Sequence, residues 1–499
     1  MLTEEQKKIL SCDDKMIVIG ALAGTGKSST LVEWCKLRPN KKILYLVFGK
    51  SMAEEAKDMF SDCKNVEVKT THSLAYRKYG FLYRSKLTFN YKVIDCLRDL
   101  NLDKAYDVAN NVLNLFNKFL ASDSENIVEF VTETLKESHM RNNYKIKSLA
   151  NLCLELWNKS LDVHNNVKIT HDFYLKLYQL SKPDLGLTYD VVLLDEGQDL
   201  SLIVRGLLKS SNPQTTIIVG DSNQSIFQFR HCANLLGMYP NATHLELTGS
   251  FRVGQQIADM CVEIIKLFKK KDIKMTGYNP NQKVYPQSQL KLSSCGGANG
   301  QWSVIARTNG FILAHALEGM LHGKTLYFEG GIKSYPLQFY KDLYWFRATD
   351  KTFNKQLQKY GDWKSLLNYV NETEDAELTT AIKVINSYSH KDGIESFPEA
   401  IDEIREHTTD NKEYADLCLC TAHKSKGLTF TEPIFLENDF IKITETLSKI
   451  NGCIARGEDE ELQSVISQIN QDINLLYVAL TRAKGEIYLN KDLSEFFKV

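Results

Sequence analysis

Proline is scarce in this chain, at 9 of 499 residues, and glycine, at 27, is not enriched, so extensive disorder is not expected. Neither sign of charge dominates: 61 Lys and Arg against 62 Asp and Glu leave a formal net charge of −1. A positive field over the whole molecule is thereby excluded, and any contact with a polyanion must come from a local groove. The 11 cysteines form no framework. Their only close pair, Cys418 and Cys420, has poor zinc spacing, and the odd count argues against a disulfide scaffold. A reducing compartment fits that usage. No apolar run approaches the roughly 20 residues of a membrane span. The first residues, Met1-Leu-Thr-Glu-Glu-Gln-Lys-Lys8, are too polar for a signal peptide. A soluble intracellular chain with no membrane partner is expected. What the chain has in quantity is apolar side chains, 43% of the total, enough for several packed cores. Its length suggests roughly three or four domains.

The most informative stretch is Ala21-Leu-Ala-Gly-Thr-Gly-Lys-Ser-Ser29. An apolar strand, Met16-Ile-Val-Ile-Gly20, precedes it, and an amphipathic run from Thr30 to Cys35 follows. In a strand–loop–helix of this kind, glycine lets backbone N–H groups close around a phosphate chain, and the helix N-terminus adds partial positive charge. Ala23, Gly24, Thr25 and Gly26 are the cradle. Lys27 brings a full charge to the β/γ-phosphates, and Ser28 a hydroxyl for Mg²⁺. The pattern is G-x-x-x-x-G-K-[ST] with Ala21 in place of the first glycine and Gly20 just before it.

Alternating strand and helix signals fill residues 1 to about 84, with strands expected at Lys42–Phe48 and Val66–Thr70. From 85 to 175 helical spacing takes over, as in Val108–Phe119 and Ser148–Val163, which reads as a helical insertion. Strands return at Asp190–Asp195 and Thr215–Asp221, and could rejoin the first sheet within 176–240. A second core is expected over 241–344 and 406–499, with strands at His244–Leu247, Trp302–Ala306, Leu417–Thr421, Pro433–Leu436 and Glu486–Leu489. Residues 345–405 are helical and charged, a smaller second insertion. The fold class is therefore α/β: two cores, each interrupted by helices.

Acids stand where strands end. Asp195 and Glu196 follow Leu194. The first can hold Mg²⁺, and the second can orient or deprotonate an attacking water. Gln224 follows another strand end and can sense a γ-phosphate. Phe227 and Phe229 alternate with polar residues nearby, and read as core or, more sharply, as base-stacking positions.

Taken in order, ALAGTGKSS, VFGKSMAEEA, KTTHSLAY, LLDEGQD, VGDSNQSIFQFR, LTGSFRVG, IARTN, TAHKSKGLTF and NLLYVALTRAK resemble superfamily 1 helicases of the UvrD/Rep class. Two further stretches, Ile169–Gln179 and Leu247–Arg252, are similar to the helicase part of the F-box DNA helicases. Because the motifs begin at Gln6, no F-box stretch is expected ahead of them, as in stand-alone bacterial or phage relatives. The resemblance implies two RecA-like parallel-sheet motor cores, ATP and Mg²⁺ as cofactors, and single-stranded DNA or its junction with duplex as partner. It also implies a setting in repair, recombination or replication, with 3′ to 5′ movement.

Roles follow residue by residue from the same resemblance. Gln6 resembles the glutamine that reads adenine, and Phe251 the aromatic that stacks on it. Arg252 and Arg482 resemble the arginines that reach the γ-phosphate, where a positive charge can be worth about 10³–10⁵ in rate. Lys27, Ser28, Ser29, Gly427 and Thr429 complete the nucleotide set. Phe48, His72, Phe229 and Arg230 resemble DNA-facing positions, with Lys50, Thr71, Phe227, Arg307, Thr421 and His423 along the track. Gly330-Gly331 followed by Lys341-Asp342 resembles the place where the second core meets its insert.

Some positions depart from the family pattern. Ser29 stands where many relatives have arginine, Thr429 where glutamate is usual, and Asn474 at a place often charged. Lys266, Lys269, Lys270, Lys271 and Lys274 read as a solvated helix end. Other readings are a motor subunit of an anti-phage or helicase–nuclease complex, and a non-enzymatic DNA-binding regulator with a decayed motor. The intact Lys27, Asp195, Glu196, Gln224, Arg252 and Arg482 argue against decay. The expected compartment is the cytoplasm of a bacterial or phage-infected cell, or the nucleus of a eukaryote.

Overall fold

Period-2 side-chain alternation explains the first sheet. In β1 (Met16–Ala21), Ile17 and Ile19 join one apolar cluster and Val18 another; in β2 (Ile43–Val47), Tyr45 joins the first and Leu44 and Leu46 the second. Both faces are apolar, so both must be covered, which is the condition of a buried parallel strand. The computed structural model describes all residues except 1, 48, 90, 104, 139–141, 228–231, 290–299, 374, 389–395 and 457–458. By their contacts the residues divide into two units, Met1–Leu22 with Gly26–Leu247, and Ala23–Thr25 with Thr248–Val499. Among the described residues no helix is long and apolar enough to cross a membrane.

The first unit holds a six-stranded parallel sheet. After β1 and β2 come β3 (Val66–Thr70), β4 (Val191–Leu194), β5 (Thr215–Gly220) and β6 (Thr243–Leu247), in the spatial order β3-β2-β4-β5-β1-β6. Because every pairing is parallel, all six strands end at one edge. Ligands of open α/β sheets bind outside that edge. One strand is not where the sequence pattern put it. Residues 243–247, expected to open the second core, pair with β1 in the first sheet, Leu245 beside Ile19. The reason is hydrogen-bonding demand: β5 pairs with one side of β1 only, and 243–247 satisfies its other edge.

Between β3 and β4 the described residues form helices: α5 (Val93–Asp99), α6 (Tyr106–Ala121), α7 (Ile127–Glu137), α8 (Asn143–Leu161) and α9 (His171–Leu180). They enclose their own core, in which Phe119 and Phe173 pack on Trp157 with ring centroids 5.4 and 5.1 Å apart. Helix α9 serves two cores. Phe173 faces the helical cluster, while Tyr174, Leu175 and Tyr178 face the sheet.

The second unit is built on another six-stranded parallel sheet: β7 (Lys283–Pro286), β8 (Trp302–Ala306), β9 (Leu326–Phe328), β10 (Leu417–Thr421), β11 (Ile434–Leu436) and β12 (Glu486–Leu489), ordered β7-β12-β11-β8-β10-β9. The helices between β9 and β10 begin at Leu337 and share one apolar cluster with the sheet, where Leu343, Phe346 and Ile385 lie with Val304 and Leu419. These helices thus use the sheet's face as their core.

Candidate functional site

Lys27, Asp195, Glu196 and Gln224 all lie in the segments that follow parallel strands of the first unit. Beyond β1 the chain turns through Gly24 and Gly26, both at positive φ (73° and 76°), a conformation glycine adopts without steric penalty. Helix α2 (Lys27–Lys36) then begins with Lys27. The Lys27 ammonium lies against the carboxylates of Asp195, at 2.6 Å, and Glu196, which follow β4. Burial by itself would lower the lysine's pKa, but the two carboxylate charges outweigh it and hold the ammonium above its ordinary range. Glu196 is a non-glycine residue in the left-handed region, φ 53°, a strained conformation of the kind held at functional sites.

A hydrogen-bonded path runs on from there. Gln198 Nε2 donates to Glu196 Oε2 at 2.6 Å, and Asp221 N–H donates to Gln198 Oε1 at 3.0 Å. Gln224 Nε2 donates to Asp221 Oδ2 at 2.9 Å. The path links the ends of β4 and β5, and Gly220 leaves room for it, since a Cβ there would collide with Gln198 Oε1. Thus the structure joins Lys27, Asp195, Glu196 and Gln224, four residues picked from sequence. Sequence reasoning gave no role to Gln198 or Asp221, although both stand inside the motif strings.

Tyr45 was also missed. Fully buried on β2, it packs on Phe60 with centroids 4.7 Å apart and donates to Asp195 Oδ2 at 2.5 Å. Burial, then the neighbouring Asp195 charge, push its pKa well up, so the hydroxyl keeps its proton and donates. No sequence signal marked it, because a tyrosine inside an apolar strand reads as core. Gln6 lies in the third position of α1 (Glu4–Leu10), where its Oε1 accepts from Thr3 N–H in a capping box and its Nε2 donates to Thr30 Oγ1 at 3.1 Å. Thr30 Oγ1 donates in turn to Gly26 O, which fastens the phosphate-loop helix to α1.

In the second unit the two arginines meet at one residue. Arg252 Nη1 donates to Thr481 O at 3.3 Å, and Arg482 Nη2 to Thr481 Oγ1 at 3.0 Å. Arg482 is 1% exposed and also donates to the carbonyls of Val478 and Leu428. Burial lowers the pKa of Arg252 from its ordinary range. The loop tip Ala23–Thr25 groups with this unit. Ser250 Oγ donates to Ala23 O at 2.7 Å, Phe251 N–H to Gly24 O at 2.8 Å, and Ala23 N–H to the hydroxyl of Tyr477 at 3.2 Å. Tyr477 is a further residue given no role by the sequence reading. Phe251 is half exposed and its ring faces Tyr278, 5.4 Å away, so two exposed aromatics stand together. Gly427, at φ 86°, and Thr429 are exposed in the turn after the short helix Ala422–Ser425.

The track residues separate into groups. Lys50 is solvent-exposed at the start of α3 (Lys50–Met59). His72, on α4 (Thr71–Lys78), pairs through Nε2 with Asp172 at 3.0 Å. Thr71 and Thr421 are buried, at 2% and 5% exposure, so neither hydroxyl is presented at the surface. Arg307 is held by Asp472 at 2.7 Å. The β8–β10 register pairs Ala306 with Thr421, which brings Arg307 and His423 to one sheet edge. Phe227 is half-buried. Phe48, Phe229 and Arg230 lie outside the described residues. Ser28 is half-buried and Ser29 exposed in the first turn of α2.

Comparison with known proteins agrees with this geometry. Residues 2–238 match the model of the UvrD/REP helicase N-terminal domain. The chain is 28% identical to F-box DNA helicase 1 of Gallus gallus and 27% identical to F-box DNA helicase protein 1 of Schizosaccharomyces pombe. Each match takes in 99% of this chain, but 49% and 58% of those proteins. The chain thus spans about half the length of the curated relatives it matches. A probable DNA helicase II homolog of Mycoplasma capricolum is 24% identical over 53% of the chain and 41% of that protein.

Proposed function

Because residues 2–238 match the UvrD/REP helicase N-terminal domain, we propose that the chain is an ATP-dependent DNA helicase or single-strand translocase, moving 3′ to 5′ in repair, recombination or replication. One observation carries the reading: the continuous polar path from Lys27 through Glu196, Gln198 and Asp221 to Gln224. Phosphoryl transfer is catalysed mainly by positioning and by charge. Lys27 draws the β/γ-phosphates in, Glu196 orients the attacking water, and Gln224 reports the γ-phosphate to the rest of the path. Arg252 and Arg482 supply the positive charge that the transferred group needs. The donor set suits Mg²⁺, since Asp195 and Glu196 already hold one cation, Lys27, with hard oxygens. Ser28 and Asp195 would hold the ion. When bound, it neutralises charge on the β- and γ-phosphate oxygens. DNA at single-strand–duplex junctions is the substrate, in a bacterial cytoplasm or a eukaryotic nucleus.

The test is steady-state ATP hydrolysis with and without single-stranded DNA, in the wild type and in Lys27→Ala. Stimulation by DNA, with loss of turnover but not of DNA binding in the variant, is the expected result. Near-normal turnover in Lys27→Ala would refute the site. Unwinding of duplexes with a 3′ or a 5′ tail then decides direction.

A further inference from the structure

The segment between Glu67 and Asp95 contains no carboxylate, in a chain that carries about as many acids as bases. Its cations include Arg77, Lys78, Arg84 and Lys92, and its exposed aromatics are Tyr76, Phe81 and Phe89. Basic residues interleaved with exposed rings are the footprint of a surface that takes a polyanion bearing flat groups. The Arg84 guanidinium lies 4.3 Å from the Phe81 ring centroid.

Four rings of this unit form a connected ladder. Tyr174, almost fully buried, is its hub. His72 and His171 approach the hub edge-on at 6.1 and 5.6 Å, and the hydroxyl of Tyr174 meets His171 Nδ1 at 2.9 Å. At the outer end Phe89 lies over His171, with centroids 4.9 Å apart and planes 37° from parallel. Phe89 is 93% exposed. It is not on a loose tail: Thr88 N–H donates to Ile169 O at 2.9 Å, Ile169 N–H to Lys86 O at 3.0 Å, and Lys168 Nζ to Ser85 O at 2.9 Å. A phenyl ring exposed to water, on a segment whose preceding residues are bonded to 168–169, in an acid-free basic stretch, has a free face and a charged setting.

We propose that Phe89 and His171 form a stacking platform for the unpaired bases of single-stranded DNA, continuing outward the line on which His72 stands. The platform rests on the helicase reading above. Its occupant is single-stranded rather than duplex, because only an unstacked base offers a π-face to Phe89.

The experiment measures binding of the full chain, by fluorescence anisotropy, to three probes of equal length: a thymidine strand, the same backbone with abasic sites, and a blunt duplex. The wild type, Phe89→Ala, Phe89→Trp and His171→Ala are compared, and thermal melting checks that each is folded. Phe89→Ala is expected to bind the thymidine strand roughly fivefold or more weakly, a loss of at least one stacked base, with the abasic strand and the duplex unchanged. Phe89→Trp is expected to restore or exceed wild-type binding. Unchanged affinity of both alanine variants for thymidine, or an equal loss on the abasic strand, would overturn the platform while leaving the motor reading intact. A wild type that binds none of the probes would overturn the motor reading, and the platform with it.

Discussion

Tyr45 shows how one hydroxyl settles the presentation of a carboxylate. Asp195 has two oxygens: Oδ1 accepts from its neighbour's N–H at 2.8 Å and faces Lys27, and Oδ2 takes the Tyr45 hydroxyl. A hydrogen bond to a charged group contributes roughly 1.5–3 kcal/mol. Removing it leaves Oδ2 free to rotate toward other donors. Tyr45→Phe is therefore expected to lower kcat for ATP about tenfold and to raise the Mg²⁺ concentration needed for half-maximal rate, with single-strand binding unchanged. A Mg²⁺ titration of ATPase rate reads both effects, and a superimposable curve would remove Tyr45 from the site. Thr429 poses the opposite case. The family resemblance sets this position at the ribose, where a glutamate would accept strongly from a hydroxyl, whereas threonine is shorter and neutral. Glu432 offers no obvious replacement, since its carboxylate already holds Ser303 at 2.6 Å and Lys412 at 2.8 Å. The expected outcome is that dATP supports turnover nearly as well as ATP, and that Thr429→Glu shifts kcat/KM toward ATP. A strong ATP preference in the wild type, unaltered by the glutamate, would place Thr429 away from the sugar.

Among the elements, α9 has the largest structural task in the first unit, and Lys176 is its most costly residue. The side chain is completely buried. Its Nζ donates to the carbonyls of Ser122 and Ser124, 3.0 and 2.5 Å away, and lies 4.3 Å from the Phe119 ring centroid. The same turn is held from the other side by Asp123, which takes both Arg205 and Lys209. Burial pushes the Lys176 pKa down to about 7 from 10.5. Between those values the unfolded chain keeps a proton that the folded chain has released, so stability rises with pH across that window. Below about pH 7 both states are protonated, and the lysine adds no slope. The melting midpoint of the wild type is accordingly expected to gain on that of Lys176→Met between pH 7 and pH 9. Parallel curves would mean that Lys176 does not titrate in the fold.

For the whole molecule the relevant quantity is the distribution of charge. A net charge of −1 gives no long-range attraction for DNA. Binding must then come from local cations that displace condensed counterions, each phosphate neutralised adding about −0.7 to the slope of log K against log salt for a single strand. We expect a slope steeper than about −2, equal to three or more phosphates. Titrations over a salt series measure it directly. A flat response would assign binding to stacking alone.

Motif chemistry was legible in the sequence because it is local. Strand, glycine turn and lysine occur within a few residues, so the glycine-rich loop, Asp195 with Glu196, and Gln224 could be picked from the pattern, as could the α/β class; that both sheets are parallel was implied by the family resemblance. Helical spacing likewise marked the segment that holds α5 to α8. Tertiary structure decided what depends on pairing across distance. Tyr45 reaches Asp195 only because β2 lies beside β4, with Tyr45 in register with Leu193. Residues 243–247 close the first sheet rather than open the second, because hydrogen bonding to β1 is a matter of sheet order, which alternation does not encode. Gln198 and Asp221 stood in plain view within motif strings, yet their bond needs the ends of β4 and β5 side by side. The ladder from His72 to Phe89 is the clearest instance. It joins residues about a hundred positions apart in sequence, and only the fold brings their rings within contact.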